Sequence, residues 1–180
     1  MRVVAGTAGG RRLHAPAGRS LRPTSERVRE AVFSSLESMG ALDGASVVDL
    51  FAGTGALGIE ALSRGASRAV FVDIDAVALA AVQSNLESTG MTRSGRVVRS
   101  DVVRFLERRD EGFDLAFADP PYEFQAWDDV LARLGARVAV LESNRELDLD
   151  GSWRSSRWRT VKQKRYGDTV VTVVVQRADD

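Results

Sequence analysis

Along this chain, short apolar runs alternate with segments whose apolar residues recur every three or four positions. "SVVDLF" (46–51), "RAVFVDID" (68–75), "RVVRSD" (96–101), "FDLAFAD" (113–119) and "RVAVLES" (137–143) read as buried strands. Between them, "GALGIEALSRG" (55–65) predicts a helix stopped by Gly65, and "AVALAAVQSNLESTG" (76–90) one ending at Gly90. Residues 102–109 and 124–134 supply the remaining crossover helices. Such alternation predicts a parallel sheet with helices on both faces.

Both ends of the chain depart from that pattern. Residues 153–165 and 168–176 are strand-like and joined at "YGD", which predicts an antiparallel hairpin closing the sheet edge. "TSERVREAVFSSLESMG" (24–40) predicts an amphipathic helix, with Thr24 as N-cap and Val28, Ala31, Val32 and Leu36 on one face. "MRVVAGTAGGRRLHAP" is glycine-rich and is expected to form a small hairpin or extended arm. The chain therefore divides into an arm (1–23) and one larger unit (24–180), with no repeat or linker.

Composition removes several classes of function. With no cysteine and a lone His14, disulfides, thiolate metal sites and zinc are not expected. No apolar stretch approaches the roughly 20 residues of a spanning helix, and no signal-like segment follows Met1, so a cytoplasmic protein without a membrane contact is expected. The net charge of zero hides an uneven distribution. Residues 1–29 hold seven arginines against Glu26, a net +6, and residues 153–166 hold six basic residues and no acid, another +6. The stretch between them carries −10. Two basic ends suit a polyanionic partner; the plainer account is solvated charge in a chain with 23 arginines and 2 lysines.

"DLFAGTGALG" sets Gly53-x-Gly55-x-x-Gly58 between a strand and a helix, and Asp73 follows Gly53 by 20 residues. Strand, turn, helix and distal acid together match a nucleoside-cofactor site, with Asp73 on the ribose hydroxyls. Asp49 sits just ahead of the loop. Its charge, about 4–5 Å from a pyrophosphate, would repel by roughly 3–4 kcal/mol at an effective dielectric near 20. S-adenosylmethionine carries an ammonium and a sulfonium and no phosphate, so Asp49 favours it over NAD. Ile74 would then lie against the adenine, Asp101 accept from its amino group, and the Val102 amide meet a ring nitrogen. Asp101 also fits a plain helix N-cap.

The fourth strand runs into Asp119-Pro120-Pro121-Tyr122, at the sheet edge where ligands of such folds bind. An exocyclic amine on a nucleobase has a delocalised lone pair and two N–H donors. Asp119 offers a carboxylate oxygen and Pro120 a carbonyl, aimed because Pro121 holds Pro120 extended. Neither proline brings a competing N–H, and Tyr122 offers a ring for stacking. Asp and Pro are also ordinary turn residues, so the tetrapeptide gains its meaning from the strand before it and the glycine loop beside it.

"RPTSERVREAVFSSL", "DLFAGTGALGIEALSRGA", "FVDID" and "DPPY", in this order and spacing, resemble the RsmD family, bacterial 16S ribosomal RNA guanine-N2 methyltransferases. The resemblance implies an α/β, Rossmann-like class I S-adenosylmethionine-dependent methyltransferase. It would have a mostly parallel seven-stranded sheet, a C-terminal antiparallel hairpin and a small N-terminal arm. It implies Thr24 near the methionine end of the cofactor, Asp49 with Gly53 and Gly55 around it, and Asp119 to Tyr122 on the target amine. Arg11, Arg12 and Arg22 are implied to contact RNA, within a 16S rRNA or 30S subunit substrate, the enzyme acting as a monomer. The rivals are an adenine-N6 methyltransferase of DNA or RNA, a non-enzymatic RNA-binding protein and an NAD oxidoreductase. The first shares the Asp-Pro-Pro-Tyr motif; the second has no need of acids at neighbouring strand tips; the third is disfavoured by Asp49.

Overall fold

The computed structural model describes residues 1–16, 25–108, 112–147, 149 and 157–177. Helix α1 (Glu26–Ser38) precedes β1 (Ser46–Leu50), α2 (Ala56–Ser63), β2 (Arg68–Asp73), α3 (Ala76–Thr89) and β3 (Gly95–Arg99). Then follow α4 (Val102–Glu107), β4 (Phe113–Ala118), α5 (Trp127–Arg133), β5 (Ala136–Ser143), β6 (Trp158–Tyr166) and β7 (Thr169–Gln176). The strands form one seven-stranded sheet in the order β3-β2-β1-β4-β5-β7-β6. The pairs from β3 to β5 are parallel, whereas β7 is antiparallel to both β5 and β6. The chain builds outward from β1 to β3 and returns to lay β4 on the other side of β1. The crevice above the β1 and β4 ends is therefore the switch point at which ligands of open α/β sheets bind.

The β1 residues are buried on both faces, as a central parallel strand must be. Val47, Phe71, Phe117 and Val140 face α1, α2, α3 and the arm. Val48, Val72, Ala118 and Leu141 face α4 and α5. Phe33 of α1 meets Phe117 with ring centroids 5.4 Å apart, both fully buried, each worth about 1.5–3 kcal/mol of apolar burial. On the other face, buried Trp158 donates its indole N–H to Leu131 O at 3.0 Å, pinning the terminal hairpin to α5.

Several expectations need correction. The α1 N-cap is Ser25, whose hydroxyl accepts from Val28 N at 3.2 Å, and not Thr24, which lies outside the described residues. A serine one position later offers the same oxygen with the helix begun one residue on. The buried face of α1 includes Arg29 and Phe33, while Ala31 is only half-buried. The sequence pattern misses Arg29 because it codes charge as surface. Of the strand predicted over 153–165, residues 153–156 lie outside the described residues and β6 runs over Trp158–Tyr166, while the predicted strands ending at 75, 101 and 119 stop at 73, 99 and 118. Their last acids turn out of the ladder to cap helices or line the crevice.

The arm is a small hairpin. Val3 N donates to Arg11 O, and Gly10 N to Val3 O, with Val3, Ala8 and Leu13 buried in the core. It docks along α2 and α3. Glu60, fully buried, accepts from Val4 N at 2.7 Å, Ala5 N at 3.0 Å and Arg64 Nε at 2.8 Å. Arg64 also reaches Glu30 and Glu37 of α1 at 2.6 and 2.9 Å. A Cβ on Gly6 would lie 1.9 Å from Ser63 O, so the hairpin can approach α2 this closely only with glycine there.

Candidate active site

Beyond Leu50 the chain turns sharply before α2. Phe51 takes φ of 61°, the one non-glycine residue with positive φ among the described residues, a conformation costing about 1–3 kcal/mol that persists only where surroundings enforce it. Gly53 and Gly55 follow with φ of 55° and 77°. Asp49 is 2% exposed and accepts a hydrogen bond from Gly58 N at 2.9 Å. A Cβ on Gly58 would lie 2.4 Å from the Phe71 ring and 3.1 Å from Asp49 Oδ2, so its glycine identity lets α2 close over the strand end.

Burial pushes the Asp49 carboxyl up to about 8; the Gly58 hydrogen bond opposes this, and the charges of Asp119 and Asp73 add to it. Asp49 therefore does not present phosphate with the full standing charge expected from the sequence. At neutral pH the group is mostly protonated. A cation placed beside it draws the proton off and gains a buried carboxylate, whereas a phosphate gains only a weak donor. The preference for a cationic cofactor survives, with its cause changed from bare repulsion to proton release.

Asp73, at the end of β2, accepts from Gly53 N at 3.0 Å through Oδ2 and from Asp75 N at 2.9 Å through Oδ1. It thereby holds the glycine loop against β2, and each oxygen retains a second lone pair for a ribose hydroxyl. Ile74 is 66% exposed and Val77, which the sequence does not single out, is 55% exposed. They form an apolar shelf beside Asp73 suited to a flat ring. Asp101 caps α4, accepting from Arg104 N at 3.0 Å, and Val102 is buried beneath the same turn. The N-cap reading of Asp101 is thus realised, and its exposed carboxylate still faces solvent.

On the other side of the crevice, Asp119 is half-buried, Pro120 buried, and Pro121 and Tyr122 exposed. Phe124 N donates to Pro121 O at 2.9 Å, closing a turn, and Asn144 Nδ2 reaches Tyr122 O at 3.3 Å from beyond β5. The Phe124 ring meets Phe51 edge-on at 5.0 Å and Trp127 at 5.4 Å. An aromatic contact therefore joins the glycine loop to the Asp-Pro-Pro-Tyr loop, which lie on adjacent strands with Asp49 opposite Phe117. Phe51, Phe124 and Asn144 escape sequence reasoning. The only signal is that an aromatic residue flanks each motif.

The structure does not bring Arg11 to this crevice. Its guanidinium donates to Ser88 O at 2.6 Å, in the last turn of α3, at the opposite edge of the sheet. Arg12 is exposed nearby, and Arg22 and Thr24 lie outside the described residues. Among the described residues there is no group of three potential metal ligands, and no helix is long and apolar enough to cross a membrane.

Sheet order, glycine loop and paired strand-end acids define a class I methyltransferase fold. A family model described as "Conserved hypothetical protein 95" matches residues 1–175. The chain belongs to this family, which takes in the RsmD proteins of the resemblance above. It is 39% identical over 176 residues to "Putative rRNA methyltransferase YlbH" of Bacillus subtilis (strain 168), covering 96% of this chain and 91% of that protein. It is 38% identical over 122 residues to "Ribosomal RNA small subunit methyltransferase D" of Escherichia coli (strain K12), covering 68% of this chain and 60% of that protein. Among solved structures, "Putative methyltransferase yhhF from Escherichia coli" superposes with a TM-score of 0.86 at 30% identity over 99% of both chains.

Proposed function

We propose that this protein methylates the exocyclic N2 amine of a guanine in 16S ribosomal RNA, using S-adenosylmethionine, on an assembled small subunit or its precursor. The observation that carries the proposal is the pairing of two unlike loops on adjacent strands. One follows the buried Asp49 of β1 and is held through Gly53 N by the half-buried Asp73 of β2; the other presents Asp119, the Pro120 carbonyl and Tyr122. The names of relatives similar along most of the chain support the RNA substrate.

The residues fit the cofactor. Asp49 would meet its cationic end, Gly53 and Gly55 its close approach, Asp73 the ribose, Ile74 and Val77 the adenine, and Asp101 with the Val102 amide the adenine edge. Thr24 is assigned to the methionine end. When bound, S-adenosylmethionine supplies a methyl carbon made electrophilic by the sulfonium. Asp119 and the Pro120 carbonyl each take one N–H of the amine. Holding both hydrogens turns the nitrogen lone pair out of the ring, towards the methyl carbon. On accepting a methyl group the amine would have to give up one proton, and half-exposed Asp119 would link the nitrogen to solvent. Tyr122 stacks the base. Arg12 and Arg22 are assigned to RNA, with Arg11 shared between RNA and α3.

The test is methyl transfer from labelled cofactor to 30S particles lacking the modification, followed by nucleoside analysis. N2-methylguanosine is the expected product. N6-methyladenosine would move the assignment to the adenine enzymes that share Asp-Pro-Pro-Tyr.

A further inference from the structure

Strand β6 lies at the free edge of the sheet and reads Trp158-Arg-Thr-Val-Lys-Gln-Lys-Arg-Tyr166. Arg159, Lys162, Lys164 and Arg165 are all exposed. None of them makes an ion pair among the described residues, in contrast to Arg64, which meets three carboxylates. Two antiparallel pairings make β6 run parallel to β4. Its C-terminal half therefore lies at the same sheet edge as Asp119. The register is explicit: Ala118 pairs with Leu141, Leu141 with Thr172, and Thr172 with Gln163. Three strand spacings separate the amine-binding strand from the basic one, about 14 Å.

Lys162, Lys164 and Tyr166 share the face of β6 that looks towards α1, where they line a shallow groove with Ala31, Ser35 and Val173. The Lys164 ammonium sits 5.2 Å from the centre of the Tyr166 ring, and Lys162 Nζ is 3.4 Å from Ser35 Oγ. Both ammonium groups are thus steadied at the rim by uncharged partners that leave their charge unspent. We propose that this face of β6 is a track for the RNA phosphate backbone flanking the target base, with Lys162 and Lys164 as its phosphate contacts. The inference rests on the RNA substrate proposed above. The −10 of the intervening chain would repel RNA, so a cationic rail beside the pocket is what an acidic catalytic body needs. A competing account is that edge lysines only blunt strand pairing between molecules.

The test compares wild type with Lys162→Gln/Lys164→Gln for binding to a 16S rRNA fragment and to unmodified 30S particles across a salt series. Two lost phosphate contacts should flatten the log–log salt slope by about 1.4 on single-stranded RNA, taking about 0.7 per contact. Cofactor affinity and the unfolding midpoint should stay at wild-type values. Arg159→Gln/Arg165→Gln, on the same strand, controls for non-specific loss of charge and should flatten the slope less. An unchanged slope in the lysine variant, while wild type transfers methyl normally, overturns the track and leaves the enzyme assignment intact. A loss seen on 30S particles and not on the RNA fragment would assign the surface to protein and overturn it too, as would self-association without a slope change. Failure of the wild type to methylate RNA at all would instead strike the proposed function.

Discussion

Helix α2 meets two buried carboxylates, its own Glu60 and Asp49 of β1, and the two have opposite fates. At its C-terminal half, Glu60 is surrounded by Val4 N, Ala5 N and the Arg64 guanidinium. At its N-terminal turn, Asp49 accepts from Gly58 N, and burial pushes its carboxyl up to about 8. The first acid has its full set of partners and holds the arm, α1 and α2 together. The second has a single backbone donor, and burial disfavours its charge. A buried acid whose partners are all supplied by the chain is architecture; one whose missing partner must come from outside marks a binding site.

Removing each acid should therefore fail differently. Glu60→Ala leaves two arm amides without their acceptor and Arg64 with Glu30 and Glu37 alone, and each buried donor left unpaired costs about 1–3 kcal/mol. Denaturant titration should register that loss, while the fraction still folded binds cofactor normally. A loss under about 1 kcal/mol would mean the clasp is not structural.

Asp73, engaged by two backbone amides and still open to the shelf at Ile74, stands between these extremes. Asp73→Ala should weaken S-adenosylmethionine binding by about 1.5–3 kcal/mol, roughly ten- to a hundredfold in Kd, without altering which base is methylated. Calorimetry giving the wild-type Kd would remove Asp73 from the ribose.

Asp49 makes the contrast pH-dependent. If a cation must meet an ionised Asp49, Kd should rise about tenfold for each pH unit below about 8, with a proton released on binding. Asp49→Asn should abolish that dependence. The stability effect has the opposite sense. The folded carboxyl holds a proton that the unfolded one gives up near the ordinary value of 3.8. This contribution to stability is complete below that value and is lost as pH rises through about 8. Asp49→Asn should flatten the fall in unfolding free energy over that window. A Kd that does not vary with pH would contradict the account of Asp49.

Much of this was legible in the sequence because it rests on local rules. Strand and helix periods, Gly65 and Gly90 as stops, the glycine loop and the Asp73 spacing each follow from backbone geometry that neighbouring residues enforce. What escaped depends on contacts between distant segments. Arg29 is fully buried, Glu60 is fully buried and Arg64 nearly so, although periodicity places any charge on the surface. The Phe51–Phe124 contact spans two motifs with no spacing rule to announce it. Charge was the weakest guide of all. The two basic ends carry the same +6, yet Arg2, Arg11 and Arg29 at the first are engaged with Glu26, Ser88 and Arg2 O, while the described arginines and lysines of β6 face solvent.

The central claim is that Asp119 and its prolines bind the amine and do not serve the cofactor. It is tested most directly by measuring Asp119→Ala twice, once for S-adenosylmethionine affinity by calorimetry and once for single-turnover methyl transfer to unmodified 30S particles. The account predicts a Kd close to wild type together with a rate reduced by about 10²–10³, the loss of one charge-assisted bond at the reacting centre being worth about 2.7–4 kcal/mol by analogy with oxyanion-hole donors. Wild-type turnover in that variant, or a rate loss wholly explained by weaker cofactor binding, would contradict it.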